Sequence, residues 1–453
     1  MEQKELINFL KGLYSIVLLD ENFTNEIDKL KKYYLEKSTY NKKEELINSF
    51  FIDKFDIELA KNSFDIEIKE LFFNLLILLS EIQLNTIKKE ELILEYAEKL
   101  FFDKEKIVEI KENLKKELAK NLDFTPFNWL TRLINGYINF KNLGVTSIET
   151  YYSFRLLHFL TNGRINKLLN LITQVFNPYE EKESNSIFKL EYNEALKALK
   201  KDGIYIFRNK LPEKLINIAL NYSNKNNCYP VPSDKKYEDC FIGEGIYFQN
   251  EKEYQTARYD YKVSDLVNKK DFFDILSETN LTDFARKYFN SKCLLDVIRL
   301  WWSTPVRDKF DRYTGQVFHI DIDRASSLLF IIYLTDVKEG NSPHVYVKGS
   351  HNSKPFNLLE DRRMLPEDIE NNYEKNAILK AIGDKGTIIA IDPLGFHRGE
   401  PLEFGNRLAL KYQFSNDGFG EPLGFYKISD LEAKNKVKIL QEEYDFTFSR
   451  FIF

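Results

Sequence analysis

The stretch GQVFHIDIDRASSLLFIIYLTDV, residues 315–337, places His319 two residues before Asp321, at the start of an apolar segment. The sequence has only five histidines, so the position of each one carries weight. Side chains two residues apart in a β-strand point to the same face, with Cα atoms about 6.5–7 Å apart. An imidazole and a carboxylate placed in this way can bind one metal ion. Taken alone, the pair is more typical of a surface turn with a solvated acid.

A later segment changes that balance. GTIIAIDPLGFHRGEP, residues 386–401, is an apolar strand followed by a Pro-Gly turn that leads to His397. Two imidazoles and one carboxylate on one side of a metal leave its other side open, which is typical of non-haem iron(II) oxygenases. Zinc hydrolases use similar ligands, so the three residues alone do not identify the metal. His351 is an alternative third ligand, although its Gly-Ser turn favours a supporting role.

A third element is Arg407 in GNRLALKYQFS, residues 405–415. Alternation along this predicted strand places Arg407, Ala409, Lys411 and Gln413 on one side. A planar guanidinium can bind a carboxylate through two parallel hydrogen bonds. A dicarboxylate cosubstrate that chelates a metal at one end needs such a clamp at the other. A surface salt bridge is the alternative role for Arg407, and the two histidines make it the less favoured one.

These segments together resemble the phytanoyl-CoA dioxygenase-like branch of the iron(II)- and 2-oxoglutarate-dependent oxygenases. The resemblance covers about residues 193–425 and rests on the ordered motifs FHIDID, GNSPHVYVKGSHN, GTIIAIDPLGFHRG and NRLALKYQF. It implies a double-stranded β-helix (jelly-roll or cupin-like) fold, with His319, Asp321 and His397 holding Fe(II) and Arg407 binding the side carboxylate of 2-oxoglutarate. The proline of the family's Pro-Gly-Ser-His turn is replaced here by Lys348.

The resemblance also implies a reaction type. Halogenating relatives replace the metal-binding acid with a small residue, whereas Asp321 is present here, so hydroxylation or a related hydrogen abstraction is expected. O2 would be the cosubstrate, with succinate and CO2 as products. Two other hypotheses remain: a catalytically silent jelly-roll that acts as a binding module through its helical N-terminal domain, and a zinc hydrolase. A zinc hydrolase would give Arg407 no purpose, and a silent module would be expected to have lost at least one of the four key residues.

The other conspicuous residues have more ordinary interpretations. His344 is expected at the surface or in packing, and His158 in the core of a helical region. Asp323, the second acid of DID, is expected at the rim of the site or behind it. The strand before the iron motif should line the same cavity, and its candidate substrate or cosubstrate contacts are Arg299, Trp301, Arg307 and Gln316.

Composition limits the classes of partner. Acidic and basic residues are interspersed, the net charge is −5, and no long basic run appears, which argues against nucleic acid as the main partner. Three scattered cysteines do not form a disulfide framework or a thiolate metal site. The N-terminus has no signal-peptide pattern, and no apolar run reaches the length of a membrane span. We therefore expect a cytoplasmic enzyme with a small-molecule substrate.

The pattern of apolar and polar residues along the sequence predicts an α+β protein with several domains. Residues 1–176 have apolar residues at helical spacing and predict an all-α accessory domain, which could serve a protein partner or self-association. Residues 177–192 are polar and read as a linker. Residues 193–425 form the predicted catalytic domain, whose short β-branched and aromatic strands favour an antiparallel sandwich or barrel. Residues 426–453 are predicted to be a helical tail.

Overall fold

The computed structural model describes residues 55–80, 86–120, 146–179, 188–232, 234–276, 278–306, 315–421 and 424–453. It also describes isolated positions before residue 55 and between residues 121 and 145. Contacts divide the chain into two compact units, and each is treated by itself here. One comprises residues 1–178 with 419–422, and the other comprises residues 179–418 with 423–453.

The first unit is built from helices in its described part. They are α1 (Ile57–Ser63), α2 (Ile66–Ser80), α3 (Thr86–Lys99), α4 (Lys104–Lys120), α5 (Ile148–Leu160) and α6 (Arg164–Phe176). The Asp56 carboxylate accepts a hydrogen bond from the Leu59 backbone N–H at 2.9 Å, which satisfies a free donor at the start of α1. Phe72 and Phe73 are fully buried between the helices, as expected for the apolar stripe of an amphipathic helix.

The second unit contains twelve strands in its described part. They are β1 (Ile204–Ile206), β2 (Tyr229–Pro230), β3 (Arg258–Asp260), β4 (Leu294–Ser303), β5 (Ser327–Tyr333), β6 (His344–Val347), β7 (Ile378–Ala381), β8 (Ile388–Ile391), β9 (His397–Gly399), β10 (Arg407–Ser415), β11 (Tyr426–Lys427) and β12 (Phe451–Ile452). The helices of this unit are α7 (Tyr192–Asp202), α8 (Glu213–Lys225), α9 (Val263–Leu266), α10 (Lys270–Leu276), α11 (Thr279–Phe289), α12 (Pro366–Glu370) and α13 (Leu431–Glu443).

Ten of the twelve described strands form two antiparallel sheets, as the sequence predicts. The larger sheet has the order β1-β8-β5-β10-β4-β3-β2, and the smaller has the order β7-β6-β9. β10 lies at the centre of the larger sheet, paired along its length with β4 on one side and β5 on the other. β5 is buried throughout, because its SLLFIIY sequence is almost entirely apolar and both of its faces are covered. A separate parallel pair, β11 with β12, joins the two ends of the C-terminal segment.

The two faces of the larger sheet differ in chemistry. One face carries residues such as Leu300, Phe330 and Leu410, and belongs to a large apolar core shared with α8, α10, α11 and α13. The other face carries Ile331 and Tyr333, which join a smaller core with Tyr346 of β6 and so turn toward the smaller sheet. We call the latter the inner face. Positions that alternate with the apolar core residues of β4 and β10 therefore project into the space between the two sheets.

The described helices include none that is both long enough and apolar enough to cross a lipid bilayer.

We expect Ile332→Ala to lower the free energy of unfolding by about 2–5 kcal/mol, because it removes a fully buried side chain from the central sheet and leaves a cavity. The matched control is Ile382→Ala, whose side chain is 55% exposed and whose replacement should change stability by less than about 0.5 kcal/mol. Urea unfolding followed by circular dichroism measures both variants. Equal losses would contradict the placement of β5 in the core.

Candidate metal centre

Three potential ligands converge at one edge of the inner space. The His319 Nε2 atom lies 3.7 Å from Asp321 Oδ1, and His397 Nε2 lies 3.6 Å from Asp321 Oδ2. One ligand atom from each of the three residues lies within 4.8 Å of the other two. Nitrogen and oxygen ligands bind divalent transition metals at about 2 Å, so these separations suit a shared cation. The structure thus brings together the residues that the spacing singled out, while their role as iron ligands stays a prediction.

Backbone hydrogen bonds hold the three residues in this arrangement. The N–H groups of His319 and His397 each donate to the other residue's carbonyl at 3.0 Å, and Asp321 N–H donates to Pro393 O at 2.9 Å. The sequence predicted His319 and Asp321 on one face of extended chain at the start of an apolar segment, and the regular strand of that segment, β5, begins at Ser327. The two residues lie before it in an extended segment, joined to β9 by a single antiparallel bridge. The bridge still keeps both side chains on one side.

Both imidazoles present the same nitrogen to the centre. His319 Nδ1 lies 2.8 Å from Val317 O, and His397 Nδ1 lies 2.9 Å from Gly395 O. A carbonyl oxygen can only accept a hydrogen bond, so each Nδ1 must carry the proton. Each ring therefore turns its Nε2 toward Asp321, which leaves that atom available to a shared cation. Orientation of a metal-binding histidine by a hydrogen bond from its other nitrogen is the usual arrangement in metalloproteins.

The protonation states also suit a divalent cation. Burial, with the neighbouring His397 adding to its effect, lowers the pKa of the His319 imidazole to about 3. Burial alone raises the pKa of the Asp321 carboxyl, but the neighbouring His397 and the Lys411 ammonium outweigh it and hold that pKa well below its usual range. The group therefore combines a neutral His319 with an ionised carboxylate, which is the state that a metal requires of its ligands.

Arg407 lies on the inner face with its charge unbalanced. The side chain is only 5% exposed. Its Nη2 donates to Ser303 Oγ at 3.0 Å and its Nη1 to Ser342 O, while Nε has no partner among the described residues. Burial lowers the pKa of the Arg407 guanidinium to about 10, and no described carboxylate acts on it. A buried cation without a counter-ion is costly, so this position favours binding of an anion.

The turn that carries His397 is held from several sides. The Asp392 carboxylate accepts hydrogen bonds from Tyr288 Oη at 2.8 Å and from Leu394 N–H at 3.0 Å. Ser350 Oγ accepts the Phe396 N–H at 2.8 Å, so the Lys-Gly-Ser-His turn supports this segment without its usual proline. Gly395 is required here, because a side chain at that position would collide with the Tyr346 hydroxyl.

His351 lies apart from this group. Its Nε2 faces the carbonyl of Lys200 at 3.3 Å, in α7, so of the two late histidines only His397 joins His319 and Asp321.

Two residues near the centre were not recognised from the sequence. Lys411 Nζ lies 3.9 Å from Asp321 Oδ2, although the sequence marked this lysine only as a neighbour of Arg407 on the same strand face. His344 was expected at the surface or in packing; the surface placement is wrong, because it is 6% exposed, and its ring packs 5.6 Å from that of His397. The alternation of β10 was the available signal for Lys411. Arg307, another sequence candidate, lies outside the described residues.

Comparison with known proteins agrees with these motifs. Residues 255–402 match the phytanoyl-CoA dioxygenase (PhyH) family, so the chain carries a domain of this kind and the predicted resemblance is confirmed over that range. The match indicates an oxygenase of the iron- and 2-oxoglutarate-dependent type and supports the predicted cofactors. No curated protein matches the sequence significantly.

Several solved structures are similar to part of this chain. HygX from Streptomyces hygroscopicus, with nickel and 2-oxoglutarate bound, is 12% identical with a TM-score of 0.35, and the alignment covers 52% of this chain and 90% of HygX. AviO1 from Streptomyces viridochromogenes is 15% identical with a TM-score of 0.34, over 50% and 96% of the two chains. SnoN, a non-haem α-ketoglutarate-dependent epimerase from nogalamycin biosynthesis, is 12% identical with a TM-score of 0.37, over 49% and 82%.

We expect Asp321→Ala to weaken Mn(II) binding by more than about a hundredfold, because loss of a ligand should exceed the 10–100-fold effect of losing a supporting group. Asp323→Ala is the matched control, two residues along the same segment, and should weaken binding by about tenfold at most. Isothermal titration calorimetry with Mn(II), a redox-stable substitute for Fe(II), measures both affinities. Similar losses in the two variants would contradict the ligand assignment.

Proposed function

We propose that the chain is an Fe(II)- and 2-oxoglutarate-dependent dioxygenase that hydroxylates a small molecule within a double-stranded β-helix domain. The observation that carries this proposal is the combination of the three converging ligands with a buried arginine for which the described residues offer no counter-ion. Neither feature alone is specific, since zinc sites share the ligands and surface arginines are common. The matched family domain supports the same function.

The ligand residues fit Fe(II). Two nitrogens and one carboxylate oxygen suit iron, and they come from one side, so the remaining positions stay open for cosubstrate and dioxygen. The partly exposed His319 and Asp321 side chains, at 18% and 22%, leave access to the centre. The hydrogen bonds from Nδ1 to Val317 O and Gly395 O would keep both rings in the binding orientation.

Arg407 fits the far carboxylate of 2-oxoglutarate. Its guanidinium is already held in place by hydrogen bonds to Ser303 and Ser342. Binding of a carboxylate would therefore cost little additional side-chain entropy. Burial strengthens such a charge-assisted pair, because little water competes with it. The carboxylate would in turn supply the counter-ion that the described residues do not offer.

When bound, iron, 2-oxoglutarate and O2 supply the oxidising chemistry, and the balance is substrate C–H, 2-oxoglutarate and O2 giving substrate C–OH, succinate and CO2. The protein's residues bind, orient and shield these groups. Asp321 occupies a metal position that a halide would need, which favours oxygen as the transferred atom. The apolar inner face around Ile331 and Tyr333 would limit water in the site.

The remaining parts of the chain belong to the same proposal. We place the catalytic domain at residues 193–425, with a helical accessory domain at 1–176, a linker at 177–192 and a C-terminal tail at 426–453. The accessory domain could mediate contact with a protein partner or a second copy of the chain.

We expect the purified protein, given Fe(II), 2-oxoglutarate and O2, to form succinate slowly without any added substrate. His319→Ala and Asp321→Ala should abolish this turnover, because each removes a metal ligand. Succinate release measured by chromatography is the readout. Normal turnover by Asp321→Ala would refute the ligand assignment, and no 2-oxoglutarate consumption by the wild-type protein would refute the proposed function.

We expect Arg407→Gln to weaken 2-oxoglutarate binding by about thirtyfold or more, which corresponds to the 2 kcal/mol or more that truncation of a buried charge pair typically costs. Calorimetric titration of the Mn(II)-loaded protein measures this affinity, and Mn(II) binding itself should stay unchanged. Arg208→Gln, at an exposed position, is the control. Unchanged 2-oxoglutarate affinity in Arg407→Gln would rule out the clamp.

A further inference from the structure

A second cationic group lies on the inner face beside the metal centre. Lys411 of β10 and Arg299 of β4 are direct cross-strand neighbours in the antiparallel register. Side chains of such pairs point to the same face about 5 Å apart. Lys411 lies four residues beyond Arg407, which corresponds to about 13–14 Å along the strand. Lys411 therefore lies at the middle of β10, beside the metal centre, whereas the carboxylate clamp proposed above lies at the first residue of the same strand.

Among the described residues, Arg299 contacts an aromatic ring and no counter-ion. Its guanidinium lies over the ring of Tyr237 at 4.4 Å, and no carboxylate of the described residues forms an ion pair with it. The Tyr237 hydroxyl is used in a 2.7 Å hydrogen bond to Asp260, whose second partner is Arg258 at 2.8 Å. Asp260 is therefore already paired with Arg258 and is not a counter-ion for Arg299.

The balance of charge in this region favours an added anion. The positive charge of Arg299 is attracted by three carboxylates that lie beyond ion-pair distance, those of Asp260, Asp323 and Asp321. Asp260 is held by Arg258, and Asp321 would be neutralised by the metal. Asp323 then remains against two cations, Lys411 and Arg299. Within the described part of the chain, one positive charge is left uncompensated in a partly buried site, where a binding anion would gain most.

Gln413 provides a third, independent indication. It follows Lys411 on the same strand face and is 1% exposed, yet neither its amide oxygen nor its amide nitrogen has a hydrogen-bond partner among the described residues. Leaving a buried polar group unpaired is costly, because the group has lost its hydrogen bonds to water and gained none in return. Native structures rarely keep such a group without a reason, and binding of a polar ligand is one.

We infer that Arg299 and Lys411 form the substrate subsite for an oxyanion, a carboxylate or a phosphate, with Gln413 hydrogen bonding to a polar group beside it. This inference rests on the proposed function, because it takes the neighbouring centre to be the place of reaction. Lys411 Nζ lies 3.9 Å from the Asp321 carboxylate, so the anionic group is bound close to the metal. The substrate is therefore an anion that reacts at a carbon only a few bonds from its charged group.

The test uses two oxyanions and a neutral analogue as probes. Sodium phosphate, sodium butyrate and butyramide are titrated by calorimetry into full-length protein loaded with Mn(II) and saturated with 2-oxoglutarate, at constant ionic strength in sodium chloride. Saturation with 2-oxoglutarate keeps the probes away from Arg407. We expect at least one oxyanion to bind at least tenfold more tightly than butyramide. Tighter binding of phosphate would identify a phosphate-bearing substrate, and tighter binding of butyrate a carboxylic acid.

Variants of Arg299 test whether the oxyanion binds at the proposed subsite. Arg299→Gln should weaken the preferred oxyanion at least tenfold, Arg299→Lys should retain part of the affinity, and the surface control Arg208→Gln should match the wild type. Arg299→Met, which can still pack on Tyr237, replaces the Gln variant if thermal unfolding shows that the latter does not fold. Lys411 is left intact because its substitution would disturb Asp321.

Two results would overturn the inference: no oxyanion binds better than butyramide, or binding survives in the neutral Arg299 variants within threefold. Failure of the proposed function gives a different pattern. In that case 2-oxoglutarate does not bind to the metal-loaded wild type. Oxyanion binding is then measured without 2-oxoglutarate, in Arg407→Gln and in Arg299→Gln. A weaker affinity in Arg299→Gln than in Arg407→Gln would still show that Arg299 binds the oxyanion.

Discussion

The candidate site depends on the backbone pairing between residues 319 and 397. Two N–H to carbonyl hydrogen bonds of 3.0 Å join these histidines across an antiparallel bridge, and a third, from Asp321 to Pro393, holds the acid beside them. Residues from segments far apart in the chain thus meet within ligand distance before any metal is considered. Each ring is also fixed by its own Nδ1 hydrogen bond, so the site is preorganised at the level of the main chain.

The inner face of the larger sheet carries charge where a simple core would be apolar. Two neighbouring central strands carry Arg299, Arg407 and Lys411 at positions where a simple core would have aliphatic residues. Stability alone does not explain them, since buried cations are usually destabilising unless they are paired. Arg407 lies at the start of β10 and Lys411 at its middle, beside Arg299 of β4, so the two proposed anion-binding positions are separated along the strand. The opposite face of the same strands is uniformly apolar and provides the core that holds this arrangement in place.

The arrangement also explains why flanking helices and turns matter for a site that they do not contact. Tyr288 of α11 binds the Asp392 carboxylate in the turn before β9, and Ser350 binds the backbone of Phe396. Rigid support of this kind is needed because a metal or a cosubstrate tolerates little displacement of its ligands. The helices of the second unit therefore contribute to the geometry of the centre as well as to its core.

The sequence by itself predicted the main strands of the larger sheet, their antiparallel character and the four residues singled out for chemistry. These predictions rest on local properties of the sequence, which can be recognised without knowledge of the fold. They are the period-two or continuous apolar patterns, the His-x-Asp spacing and the alternation of β10. Only the tertiary structure decided that His397 meets His319 and Asp321, that His344 is buried beside His397, and that His351 faces away. The same holds for Lys411, whose contact with Asp321 joins residues remote in sequence. Such relations follow from cross-strand register and turn geometry, which depend on packing of the whole domain and leave no local pattern.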